Sequence, residues 1–249
     1  METHPPHVHH SSGKKFSHYF YEFLMLFLAV FSGFMAENFR EENVEHTRER
    51  EFMRTLVDDL KTDTANLTVN ISFGETMSGR IDTLISLLNE YPTNTNVEEL
   101  YNINSRSGRV VNIDFEDRTS SQLKNAGNMR LIRNSSVSDS IRNYWSTIKV
   151  LESISSRLED LRNKAQDISI QIFHNKFILN INKLDPVHSK TSIVPGAKLI
   201  NNKPELIAQY SNRRYNNSNV LKNYLLNMKS TKAQAAKLIK LIMKEYHFE

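Results

Sequence analysis

Residues 34–73 run for 40 positions without a glycine or a proline. An unbroken helix of that length extends about 60 Å at roughly 1.5 Å per residue, and other folds need a turn-former well before then. The scarcity is general: 7 Gly and 6 Pro in 249 residues fall below the average usage of roughly 7% and 5%. A fold rich in tight turns needs more of both, so the composition points to an all-α protein.

The stretch is preceded by Phe-Ser-His-Tyr-Phe-Tyr-Glu-Phe-Leu-Met-Leu-Phe-Leu-Ala-Val-Phe-Ser-Gly-Phe-Met-Ala over residues 16–36. As a helix it spans about 31 Å, close to the thickness of a bilayer's hydrocarbon core. No residue from 23 to 36 is charged, and Tyr19 and Tyr21 lie near one end, as interfacial aromatics do. A cleaved signal peptide has a shorter apolar core and a small-residue cleavage site. Here the run ends in Phe-Met-Ala-Glu-Asn-Phe and the helical pattern continues through it. A buried core helix is the other rival, since the strictly uncharged part is 14 residues. A signal-anchor, single-pass transmembrane helix is the reading adopted. Lys14 and Lys15 precede the span, whereas Arg40 follows it among Glu37, Glu41 and Glu42. The positive-inside rule then places the N-terminus in the cytoplasm. Glu22 lies about one and a half turns inside the span, where an ionisable group is a functional candidate for pairing or proton relay. The competing reading has it snorkelling from the headgroup level to water.

Beyond the span, acid–base pairs recur at helical spacing: Glu37–Arg40, Glu45–Arg48, Glu51–Arg54 and Arg54–Asp58. The span therefore continues as a charged stalk. An apolar seam then appears every seven residues at Met53, Leu60, Leu67, Gly74, Ile81 and Leu88. Leu56, Ile71, Met77, Leu84 and Ile85 form a second row, which Asp63 and Asn70 interrupt. Tyr91-Pro92-Thr93-Asn94 ends it. Residues 97–102 are expected as a short helix, 105–108 as a loop, and roughly 117–126 as a second short helix stopped by Gly127-Asn128. Ser136 and Asp139 approximate a capping box. It opens a seam through Ile141, Tyr144, Ile148, Leu151, Ile154, Leu158, Leu161, Ala165, Ile168 and Ile172, in a helix expected to reach Asn180 before Asp185-Pro186. Residues 183–202 read as loop. Pro204 fits the first turn of a last helix capped by Asn202, with Leu221, Leu225, Met228, Ala235, Leu238 and Ile242 on one face. Three long helices and two or three short ones make an elongated antiparallel bundle. A parallel coiled-coil oligomer is the alternative, and the interrupted second row disfavours it.

The net charge of +4 is unevenly spread: residues 37–63 hold nine acids against five bases, and residues 198–249 ten bases against three acids. Lateral neutralisation of these segments is the favoured reading over a nucleic-acid or lipid surface, because the bases are spread along a helix. No cysteine is present, which excludes disulfides, thiolate catalysis and Cys-based metal sites. His4, His7, His9 and His10 flank Pro5-Pro6 in a tail of 15 residues. No fixed ligand geometry completes them, so no metal or other cofactor is expected. Gly74-Glu-Thr-Met-Ser-Gly-Arg80 mimics a phosphate-binding loop but lacks the Lys and Ser/Thr and sits inside a helical pattern, so it is rejected. His46, His174, His188 and His247 form no zinc motif, and no nucleophile elbow occurs. The stretch Leu123-Lys-Asn-Ala-Gly-Asn-Met-Arg-Leu-Ile-Arg-Asn134 combines a helix stop with Arg130 and Arg133. It reads as a helix-to-helix corner packed by Met129, Leu131 and Ile132, or as a partner- or anion-binding corner using the two arginines.

The chain resembles a group of single-pass membrane proteins of Bacteroidota. The resemblance rests on the His-rich tail leading into Tyr19-Phe-Tyr-Glu-Phe-Leu-Met-Leu-Phe-Leu-Ala-Val30, on Glu49-Arg-Glu-Phe-Met53 through Leu56-Val-Asp-Asp-Leu60, on residues 122–134 with Ile141 and Tyr144, and on Lys244-Glu-Tyr-His247. It implies a membrane-anchored helical protein with Glu22 in the shared pattern, and it brings no assigned reaction. The organisation expected is a His-rich tail over 1–15, a transmembrane helix over 16–36, and a helical stalk and bundle over 37–249. The expected location is a bacterial inner membrane with the bundle periplasmic. The expected role is a non-catalytic scaffold, sensor or assembly partner, with the lipid bilayer and a protein partner or second copy as its contacts and no nucleic acid. An oligomeric channel or proton-coupled protein built on Glu22 is the alternative. On that alternative, Glu22→Gln abolishes an ion or proton flux through the reconstituted protein; a surviving flux, or none in the wild type, removes it.

Overall fold

The computed structural model describes residues 13–109, 111–125, 127–180 and 192–248. Residues 1–12 of the expected tail, His188 and the expected helix stop at Asp185-Pro186 lie outside them; residues 13–15, expected in the tail, open α1. The described residues are all-α apart from one short hairpin. Helices α1 (Gly13–Glu90), α2 (Val97–Ser107), α3 (Arg118–Asn125), α4 (Ser135–Ile172) and α5 (Pro204–Tyr246) follow in order. Strands β1 (Ile178–Asn180) and β2 (Ser192–Ile193) pair antiparallel, with Ile178 opposite Ile193. The chain divides into two compact units between Glu51 and Phe52.

In the first unit α1 carries side chains that are almost all exposed. Arg40 and Glu37 form one of the expected stalk pairs, at 2.5 Å.

In the second unit the expected seams are the core. Met53, Leu60, Leu67, Ile81 and Leu88 of α1 are buried, as are Ile141, Tyr144, Leu151, Ala165, Ile168 and Ile172 of α4. All six residues assigned to one face of α5 are buried too. The core is stacked in three layers along the helices. One holds Met53–Leu60 with the start of α4 and the end of α5. The middle one holds Leu67, Met77 and Ile81 with Leu151 and Leu221–Met228. The third holds Leu84 and Leu88 with the end of α4 and the start of α5. α5 is therefore antiparallel to both other long helices, while α1 and α4 run the same way. That is possible because residues 91–134 return along the full length of the bundle. α2 sits in the third layer, Val111 with Ile113 and Phe115 in the middle one, and Leu123 of α3 in the first.

Four boundaries differ from the sequence reading. α2 runs through residues 105–107, expected as a loop, because the turn is docked: Asn104 binds Ser169 at 3.1 Å and accepts the Tyr210 hydroxyl, and Arg214 donates to Ser107. α4 is capped two residues earlier than expected. Its cap is Asn134, whose side chain accepts the Val137 amide at 3.2 Å, and Ser136 is not used as a cap. It also stops at Ile172 rather than Asn180. Phe173 turns inward to meet the Tyr101 ring edge-on at 5.0 Å, and the His174 amide donates to the Tyr101 hydroxyl, which itself donates to Lys198 O. A buried tyrosine with both hydroxyl functions satisfied outcompetes two more helical turns. α5 is preceded by Lys203 rather than Asn202 at the cap, with Pro204 at the first position as expected.

Gly74 shows why one seam position is empty of side chain: a Cβ there meets Leu225 Cδ2 at 2.6 Å. Alanine displaces only a flexible methyl, whereas a β-branched residue forces the helices apart. Gly74→Val is expected to cost about 1–3 kcal/mol, read as a lower midpoint in chemical denaturation, with Gly74→Ala near neutral.

Candidate functional site

Three features carry chemistry, one in the first unit and two in the second. In the first unit the apolar residues 16–36 of α1 are uncovered. Phe16, Phe23, Leu26, Phe27, Val30 and Phe34 are all exposed, and Phe27 stacks on Phe23 and Phe31 at 6.3 and 5.9 Å along one helix face. Among the described residues this is the one helix long and apolar enough to cross a membrane. Glu22 is exposed on it.

The second feature is the acid that interrupts the α1 seam. Asp63 is buried, and its carboxylate accepts the Glu116 amide at 2.9 Å and the Tyr144 hydroxyl at 2.7 Å. One turn earlier Asp59, also buried, accepts the Thr119 amide at 3.1 Å and pairs with Arg118 at 2.6 Å. The two carboxylates thus satisfy the approach and first turn of α3, where amides have no helical partner. Burial raises the Asp63 pKa above the ordinary carboxylate range, against the opposing pull of its two hydrogen bonds. Burial and the adjacent Asp63 charge likewise raise that of Tyr144. These acids clamp the crossover to α1.

The third feature lies between the middle and third layers. A cavity of about 20 Å³ is lined by Ile81 of α1, Ser107, Arg109 and Val111 of the crossover, Ser155, Leu158, Glu159 and Arg162 of α4, and Asn217 and Leu221 of α5. Arg109 Nη1 and Arg162 Nε are buried without a hydrogen-bond acceptor, as are Arg106 Nε and Arg214 Nε nearby. Arg214 is 3% exposed and is held through its donation to Ser107. Burial, and then the charges of Arg106 and Arg109, lower the pKa of Arg80. Glu159 is the acid lining the cavity; it lies 3.9 Å from Arg162 with its side chain largely exposed. Asp82 faces away to Lys222 at 2.9 Å and Ser218 at 2.7 Å.

No protein-family model, no curated protein and no solved structure matches the chain. Of the residues singled out from sequence, Arg130 and Arg133 are exposed on the corner between α3 and α4, where Leu131 and Ile132 are buried and Met129 packs beside them. Gly127 opens that corner with φ at 64°, a conformation that favours glycine. The structure brings neither arginine to the cavity. The polar residues that do meet there, Ser107 and Arg109, Arg162, and Asn217, belong in the sequence reading to an expected loop and its end and to two separate helices. The signal that marks them is the Arg-Ser-Gly-Arg cluster over 106–109 together with a second Arg on each facing helix.

Asp63→Leu is expected to cost about 1–3 kcal/mol for each donor it orphans, Glu116 N–H and Tyr144 O–H. Asp63→Asn keeps an acceptor and a donor and tests the charge. A raised folded-state pKa contributes stability below the ordinary carboxylate value that is lost as pH rises through the folded value. The stability of Asp63→Asn relative to wild type should therefore rise across that window, measured by denaturation at a series of pH values.

Proposed function

We propose that this chain is a single-pass membrane protein whose helical bundle acts as a non-catalytic scaffold, sensor or assembly partner. The observation that carries this reading is the uncovered apolar surface over residues 16–36. Soluble monomers rarely expose contiguous apolar patches beyond a few hundred Å². A helix satisfies all its internal backbone groups and is one of the two structures that lipid accepts. Over residues 52–248, by contrast, exposed large apolar side chains such as Val69, Val150, Ile170 and Leu226 are scattered singly along the chain.

The continuity of α1 past Ala36 supports an anchor over a cleaved leader. Lys14 and Lys15 on one flank, against the acids that follow residue 36, support a cytoplasmic N-terminus with the bundle in the periplasm of a bacterial inner membrane. The resemblance to the Bacteroidota group is in keeping with a membrane-anchored helical protein. The non-catalytic reading is supported by the way Asp59 and Asp63 are committed to holding backbone amides. A protein partner or a second copy is the contact expected beyond lipid.

The test is fractionation. The wild-type protein is expected to pellet with membranes after an alkaline wash and ultracentrifugation without detergent. Leu26→Arg with Val30→Arg places two charges near the middle of the span, at roughly 2.5–3.5 kcal/mol each, and is expected to release the protein to the supernatant. Wild-type protein found in the supernatant overturns the reading.

A further inference from the structure

We propose that the arginine-lined cavity of the second unit binds a compact oxyanion of the phosphate or sulfate class. The inference concerns the bundle alone and stands whether or not α1 enters a membrane.

Charge comes first. Arg109 and Arg162 line the cavity, and Arg214 is anchored to its lining Ser107. Guanidinium groups do not deprotonate in proteins, so these charges repel one another at a half-buried site where screening is weak. The lining acid, Glu159, is 3.9 Å from Arg162 and turned largely to solvent, too loose to offset them.

Hydrogen bonding points the same way. Buried polar groups are nearly always paired. Here both lining arginines keep a buried N–H with no acceptor, Arg109 at Nη1 and Arg162 at Nε. They come from different elements, the crossover and α4, so one acceptor seated between them satisfies both. Asn217, 4% exposed on α5, adds an amide to the same wall. The guanidinium fork matches an oxyanion better than a halide, because two parallel N–H bonds reach two oxygens.

Size sets the class. About 20 Å³ is room for one or two water-sized groups, at roughly 10–15 Å³ each. That admits the leading oxygens of a small oxyanion and excludes a sugar or a nucleobase. The partly exposed side chains of Glu159 and Arg162 mark the solvent side, where the remaining oxygens of the anion would point.

The experiment uses the full chain in neutral detergent, in a buffer with a bulky organic counter-ion. Inorganic phosphate and sulfate are titrated by calorimetry and by thermal shift, with chloride at equal ionic strength as the control. Saturable binding near one ion per chain is expected for phosphate or sulfate, with a melting shift that chloride does not reproduce. Arg109→Gln and Arg162→Gln are each expected to weaken it about tenfold or more, and Lys229→Gln, on the surface, to leave it unchanged. Arg162→Lys keeps the charge, loses the fork and is expected to weaken it as well. Without anion, Arg109→Gln should melt at or above the wild-type temperature, because it relieves repulsion; this reading keeps a binding loss distinct from misfolding. The proposal is overturned if phosphate and sulfate shift the melting temperature no more than chloride. It is overturned equally if the two glutamine variants bind as wild type does, or if Arg109→Gln melts well below wild type in the anion-free buffer.

Discussion

A helix cannot reverse direction, and the apolar seam of α1 over residues 53–88 needs partners along its whole length. α5 covers it running the other way. α4 runs the same way as α1, so the chain must first travel back past all three core layers between Tyr91 and Asn134. Between α2 and α3 this returning segment is neither helix nor sheet over residues 111–117, and its backbone amides there have no ladder to join. The carboxylates of Asp59 and Asp63 are the acceptors that hold it, one on the Thr119 amide and one on the Glu116 amide. Asp63, which looks like a fault in an apolar face, and Asp59 one turn earlier thus hold the return that a co-directional pair of helices requires.

The same return places the chemistry. After α2 docks in the third layer through Tyr101, Asn104 and Ser107, the chain crosses between α1, α4 and α5 and delivers Arg106 and Arg109 beside Arg80, Arg162 and Arg214. Polar groups at the two ends of the crossover are resolved differently. Asp59 and Asp63 accept the Thr119 and Glu116 amides and the Tyr144 hydroxyl, and the effect is to lock the backbone. At Arg109 and Arg162 a buried N–H on each lacks an acceptor, so that end is suited to meeting something from outside the chain.

Much of the fold was legible because long amphipathic helices write their spacing directly into sequence. The seams of α1, α4 and α5 are the buried faces, and scarce glycine and proline marked the long segments. The boundaries that failed share a cause. α2 outlasts its expected end and α4 falls short of its own because side chains distant in sequence, Tyr210 and Arg214 for one and Tyr101 for the other, supply hydrogen bonds that local propensity does not contain. Ser136 lost the cap to Asn134 by a similar local margin, since both can accept the same kind of amide bond.

The sequence by itself determined the helical class, the apolar stretch near the start, the faces that pack and the corner at Gly127. These depend on periodicity, on composition and on backbone conformations that one residue type favours. Only the tertiary structure decided that α1 and α4 are co-directional, that Asp63 is a buried clamp rather than a break in a seam, and that Arg109 of the crossover and Arg162 of α4 line one cavity. Each of those is a relation between residues from about 50 to more than 100 positions apart. No local pattern encodes it, because burial and pairing come into being only when the core layers close around them.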